Sequence, residues 1–113
     1  MKRVRILSSS STISDDNFKE YVKEAFFEDD GAYLRVLDKF KDYVHDDLDD
    51  VEYGGDMSIE NICPLSNTSY DCQFDAHVVF ECEDGWYDVY ASIRYNTKSG
   101  AYEFAGNIKS KEI

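Results

Sequence analysis

The residues of this chain that could carry chemistry are its acids, two histidines and three cysteines. Carboxylates serve general acid–base catalysis only where a cleft shifts their pKa. No stretch shows a burial pattern around an Asp or Glu, since the acids of the alternating segments fall on their polar side. His45 stands in an acidic run, and His77 falls on the polar side of an alternating segment. Cys72 and Cys82 belong to the apolar side of that segment, where structural thiols are expected. A Cys–His pair would therefore have to meet through a sheet. With Cys63 they form an odd set without C-x-x-C spacing, which points to neither zinc nor redox chemistry. The run "HDDLDDVEYGGD", His45 to Asp56, offers oxygen ligands of the kind calcium takes. No register of it places Gly after three alternating acids, as the calcium loop requires. Gly54-Gly55 lacks a phosphate-binding fingerprint and lies among acids that would repel phosphate. The expectation is a non-enzymatic protein with no catalytic residue, metal or cofactor.

What the acids share is location. The formal charge is −12, and it is unevenly placed. Residues 1–44 carry eight bases and nine acids, and residues 94–113 carry four bases and two acids. Residues 45–93 hold thirteen acids and no Lys or Arg, a net −13. Such a surface repels nucleic acid and anionic membrane and attracts basic partners. Aromatic residues are interleaved with it, among them Tyr43, Tyr53, Tyr70, Trp86 and Tyr90. Tyr and Trp are favoured anchors of protein interfaces.

The elements that must position these residues follow from periodicity. Hydrophobic content of 42% over 113 residues is consistent with one folded domain, 1–113. Val4 and Ile6 permit a short first strand, and Ser14 to Asp16 supply N-cap candidates. Phe18, Tyr21, Val22, Ala25 and Phe26 then make one helical stripe. A second helix has Tyr33, Leu37, Phe40, Val44, Leu48 and Val51 on its inner face, with Asp38, Asp42, Asp46 and Asp49 opposite. Asp46, Asp47, Asp49 and Asp50 crowd its C-terminal end, where the helix dipole disfavours acids by about 0.3–1 kcal/mol each. Within 56–70, Ile59, Ile62 and Leu65 allow a short strand, and Pro64 marks it as an edge.

From Cys72 to Cys82 apolar and polar residues alternate. Asp84-Gly85 suggests a two-residue turn, pairing Glu83 with Trp86, Cys82 with Tyr87, Phe80 with Val89 and Val78 with Ala91. That register aligns both apolar faces and sets Glu81 against Asp88, an unfavourable like-charge pair. It also lines up Asp75, Arg94 and Glu103. A second turn at Thr97 to Gly100 leads to Tyr102, Phe104, Gly106 and Ile108 on the same apolar face. The expected fold is α+β: two N-terminal helices on one face of an antiparallel meander of three to five strands. The other face should display Asp75, His77, Trp86, Asp88, Tyr90 and Arg94. Cys72 and Cys82, about 33 Å apart along one strand, cannot form a disulfide. Free thiols, with no apolar run of signal-peptide or membrane-spanning length, point to a cytoplasmic protein.

Duplex DNA presents one negative charge per about 1.7 Å of axis, and carboxylates on successive helix turns can imitate part of that array. In its size, its acidic central segment and its helices beside a small sheet, the chain resembles the acidic inhibitors encoded by phages and mobile elements, including anti-CRISPR and anti-restriction proteins. The resemblance implies a protein that blocks a basic nucleic-acid-binding effector, such as a nuclease or its complex. The partner surface would centre on Asp42, Asp46, Asp47, Asp49, Asp50, Glu52 and Asp56, with Tyr53, Trp86 and Tyr90 as aromatic contacts. Immunity proteins against nuclease toxins look much the same, and NTF2-like or cystatin-like binding modules are the alternative of another class. Oligomeric state is left open.

Overall fold

A computed structural model of the chain describes residues 15–28, 30–47, 51–66 and 69–113. The expected first strand at Val4 and Ile6 lies outside them, as does Ser14. Two helices, α1 (Asp15–Glu28) and α2 (Asp30–Asp47), precede six strands. These are β1 (Val51–Gly54), β2 (Ser58–Pro64), β3 (Cys72–Cys82), β4 (Gly85–Tyr95), β5 (Tyr102–Phe104) and β6 (Lys109–Glu112). The chain is thus α+β, with N-terminal helices on an antiparallel sheet.

The sheet is four strands wide. Two eleven-residue strands, β3 and β4, form its centre. Both β1 and β2 pair with β3, whereas both β5 and β6 pair with β4. Each edge is therefore one strand run interrupted part-way, which is why six segments appear where three to five strands are expected. On one edge the pairing is held across the break by Gly55 N donating to Val79 O at 2.8 Å. A further bulge lies between Glu60 and Cys63. Asn61 there adopts φ 55, a left-handed conformation that Asn tolerates better than most residues. On the other edge Ala105 N donates to Ser92 O at 2.8 Å, between β5 and β6. Interrupted edges resist pairing with other chains.

The β3–β4 register differs from the expected one by two residues. Phe80 pairs with Tyr87, Val78 with Val89, Ala76 with Ala91 and Cys82 with Gly85. The turn is Glu83-Asp84, not Asp84-Gly85. An Asp-Gly turn of the expected type needs positive φ at both residues. Asp84 is not among the positive-φ residues, and Gly85, at φ 149, closes the hairpin instead. A slip of two preserves which side each residue faces, so the apolar face is as expected. The cross-strand partners are not. Glu81 stands opposite Trp86 and Asp88 opposite Val79, so the like-charge pair does not exist. Arg94 sits between Gln73 and Glu103, and Asp75 pairs with Ser92 instead.

Beneath the helices lies one core. Val22 and Phe26 of α1 and Ala32, Val36, Phe40 and Val44 of α2 are buried with Phe74, Val78, Phe80, Val89, Ile93 and Tyr95 of the sheet. The α2 stripe is centred on 32, 36, 40 and 44, a strict spacing of four, with Tyr33 and Leu37 at its margin. Tyr21, assigned to the α1 stripe by spacing, is 45% exposed. Leu48 lies outside the described residues. Val51, expected to continue α2, opens β1. Gly54 explains how β1 can lie so close: a Cβ there would meet Phe80 Cε1 at 2.9 Å. Pro64 ends β2 on the sheet edge, as its missing N–H requires.

Candidate functional site

Helix α2 carries the first part of the acidic surface. Asp38, Asp42 and Asp46 are all exposed, four residues apart and so on one side of the helix. The opposite side of α2 rests on the β4 half of the sheet. Phe40 stacks on Phe104 with centroids 6.4 Å apart, Tyr43 Oη lies 3.0 Å from Ser110 Oγ, and Arg35 stands 5.7 Å over the Tyr102 ring. Tyr102 pairs with Tyr95, whereas Ser110 pairs with Val89. Helix α2 therefore runs towards the β3–β4 hairpin, and its C-terminus ends beside it.

That hairpin end collects acids from four parts of the chain. Asp46 and Asp47 close α2, and β1 begins four residues later with Val51 opposite Cys82. Glu52 lies within β1, and Tyr53 is in register with Glu81. Glu83 and Asp84 form the exposed turn. Glu112 reaches the same point from β6, its Oε2 3.2 Å from where a Gly85 Cβ would stand. Asp49 and Asp50 lie outside the described residues, in the segment between α2 and β1. Of these groups, Asp84 has a hydrogen bond, accepting from Tyr87 Oη at 2.9 Å. In the last turn of α2 the basic residue is His45, so the acids there work against the helix dipole. Lys111, opposite Asp88, is the nearest base by strand register.

The other expected contacts lie elsewhere. Asp56 is exposed in the break between β1 and β2, further along that edge. Trp86 and Tyr90 are 45% and 37% exposed, but on the sheet face turned away from the helices. Trp86 borders the hairpin end. Tyr90, opposite His77, is separated from Asp42 and Asp46 by the sheet and the core. The ten expected residues therefore do not form one continuous patch.

The outer sheet face has a network of which only the Arg94–Glu103 alignment is legible in the sequence, because the rest depends on the β3–β4 register. Asp75 accepts from Ser92 Oγ at 2.6 Å and from Asn61 Nδ2 at 2.9 Å. His77 Nδ1 lies 3.1 Å from Asp88 Oδ1, and its Nε2 is 3.9 Å from Glu60 Oε1. Arg94 pairs with Glu103 at 3.7 Å. Beside Tyr90, the break in the outer edge opens a cleft of ≈ 250 Å³ lined by Ser92, Gly106, Asn107 and Lys109.

Cys72 and Cys82 are buried on the helix side and Cys63 is exposed on β2, all three as free thiols. The chain folds back between β2 and β3, with Pro64 paired to Cys72, Cys63 to Gln73 and Leu65 N donating to Asp71 O. Cys63 and Cys72 therefore occupy opposite faces. Burial, reinforced by Asp71, pushes the Cys72 thiol up to about 12. Only Cys63 should react with a thiol reagent in the native protein near pH 8, and three thiols should react in denaturant. A native count of two or more would contradict this placement.

Among the described residues no three His, Cys, Asp or Glu side chains are grouped to hold a metal ion, and no described helix is long and apolar enough to cross a membrane. No family model, curated protein or solved structure matches the chain.

Proposed function

We propose that this protein is an acidic inhibitor that binds a basic nucleic-acid-binding protein, such as a nuclease or its complex, and occupies the site of the nucleic acid. The observation that carries the reading is the convergence at the hairpin end. Acidic residues at the end of α2, in β1, in the β3–β4 turn and in β6 are brought to one pole of the molecule by the placement of their elements. A surface needed only for solubility has no reason to gather its charge where the helix dipole opposes it. Asp38, Asp42 and Asp46 extend the array along α2 with a repeat of about 6 Å. That spacing approaches the separation of successive phosphates along one strand of DNA.

The reading is non-enzymatic. His77 and the two buried cysteines lie on opposite sides of the sheet, so they cannot form a nucleophile–base pair. A ligand-enclosing sheet, as in an NTF2-like module, is disfavoured by the core, where Phe26, Phe74, Phe80 and Tyr95 fill the space beneath the helices. Three free thiols support a reducing, cytoplasmic setting.

The test is capture from host lysate on immobilised protein, with and without nuclease treatment, followed by elution along a salt gradient. The expected result is a basic nucleic-acid-binding protein, retained better once its nucleic acid is digested and released as salt screens the contact. A neutral or acidic retained protein, or retention insensitive to salt, would overturn the proposal. A host defence nuclease as target would indicate an anti-CRISPR or anti-restriction role, and a secreted toxin nuclease an immunity role.

A further inference from the structure

The outer sheet face is covered by neither helix, and its composition is unusual for a surface left to solvent. Trp86 and Tyr90 stand on it at 45% and 37% exposure, with half-buried Val79 between their rows. Most of its polar groups are already matched within the sheet: Asp75 to Ser92 and Asn61, His77 to Asp88, and Arg94 to Glu103. Covering such groups costs less than covering unpaired ones. The charges left over are segregated. Glu60 and Glu81 lie on the β2–β3 half, and Lys109 and Lys111 lie on β6. Among the described residues Glu81 and both lysines have no ion pair, and Glu60 has only the 3.9 Å approach to His77.

We propose that this face is the interface of a homodimer, closed by a two-fold axis running parallel to the strands. That axis lays the β2 side of one copy over the β6 side of the other, so the same patch contacts itself. Lys109, in register with Tyr90 and His77, then stands one row from Glu60 of the second copy. Lys111, in register with Asp88 and Val79, stands one row from its Glu81. Glu60 and Glu81 of each copy thus approach Lys109 and Lys111 of the other, around a centre of Val79, Trp86 and Tyr90. Aligned sheets pack face to face in this way about 10 Å apart. Four strands about 4.8 Å apart and eleven residues long at about 3.3 Å each give roughly 700 Å² per copy. That is close to the roughly 800 Å² per partner of a stable interface. The inference does not depend on the identity of the target.

Two chains of charge −12 repel each other at long range, so added salt should strengthen the dimer, whereas it should weaken target capture. Failure of one is therefore distinguishable from failure of the other. Sedimentation equilibrium of the full chain should give a dimer whose dissociation constant falls as salt is raised. Trp86→Asp should raise that constant at least tenfold with the circular dichroism unchanged. Lys109→Glu/Lys111→Glu and Glu60→Lys/Glu81→Lys should each be monomeric alone and form a one-to-one heterodimer when mixed. A parent that is monomeric at every concentration and salt, or a dimer indifferent to these substitutions, would overturn the proposal.

Discussion

Phe26→Ala should cost about 3–5 kcal/mol of stability, the range for truncating a buried phenylalanine. Phe26 is fully buried where α1 meets the two central strands. Its ring lies 4.9 Å from Phe74 and 5.3 Å from Tyr95, both edge-on, and 6.0 Å from Tyr33 at the start of α2. One truncation therefore removes ring contacts to both central strands and to the second helix. The adjoining hydrogen bond from Tyr95 Oη to the Ala25 carbonyl, 3.2 Å, holds the same joint and would be loosened with it. A domain of this size holds about 5–15 kcal/mol in all, so the variant should lose a large share of its stability. Urea denaturation followed by circular dichroism should show this as a lower midpoint at unchanged slope. Tyr21→Ala, one turn earlier on α1 but exposed, should change stability by no more than about 0.5 kcal/mol. Equal effects at the two positions would mean that α1 does not pack as described.

Reversing the charge of the acidic run should separate folding from function. Changing Asp46, Asp47, Asp49 and Asp50 together to Lys should leave the fold intact. Asp46 and Asp47 occupy the last turn of α2, where lysines favour the helix dipole by about 0.3–1 kcal/mol each. The helix end should therefore hold as well as in the parent, or better. Target capture should nevertheless weaken by about a hundredfold or more, because like charges facing each other at an interface cost several kcal/mol. Loss of capture with a retained thermal transition is the expected pattern. Capture undiminished would reduce the acidic run to a solvated surface.

The fold was more legible in the sequence than the surface. Alternation from Cys72 to Cys82 marked a strand and its buried side without error, because a period of two encodes side directly. The pairing was not encoded there, since Asp84-Gly85 resembles a turn that Asp84 does not adopt. The two-residue slip left the core as expected but reassigned every partner between β3 and β4, while the expected Arg94–Glu103 alignment across β4 and β5 holds. It removed the supposed Glu81–Asp88 repulsion, and with it one sign of excess charge. It also revealed the His77–Asp88 and Asp75–Ser92 contacts, which no single strand announces. In α2 the apolar residues at 32, 36, 40 and 44 compete with those at 33 and 37, so spacing alone rotated the stripe by a fraction of a turn. Strand β1 was hidden because the four residues Val51 to Gly54, following a run of aspartates in the sequence, carry little pattern of their own. Of the expected contact residues, Asp46 and Asp47 end α2 and Glu52 lies in β1, elements that border the hairpin end, where the closed sheet also brings Glu83, Asp84 and Glu112. Trp86 and Tyr90 lie on the outer sheet face, as alternation predicts, and for that reason stand apart from the acids of α2.

The proposed replacement of nucleic acid by the acidic pole is open to one direct measurement. A fluorescently labelled oligonucleotide is bound to the captured target, and unlabelled protein is titrated in while anisotropy is followed. Anisotropy should fall to the value of the free oligonucleotide with one equivalent of protein bound per target, and less steeply as salt is raised. If the protein binds the target while anisotropy stays high or rises, forming a ternary complex, protein and nucleic acid occupy different sites and the mimicry is contradicted.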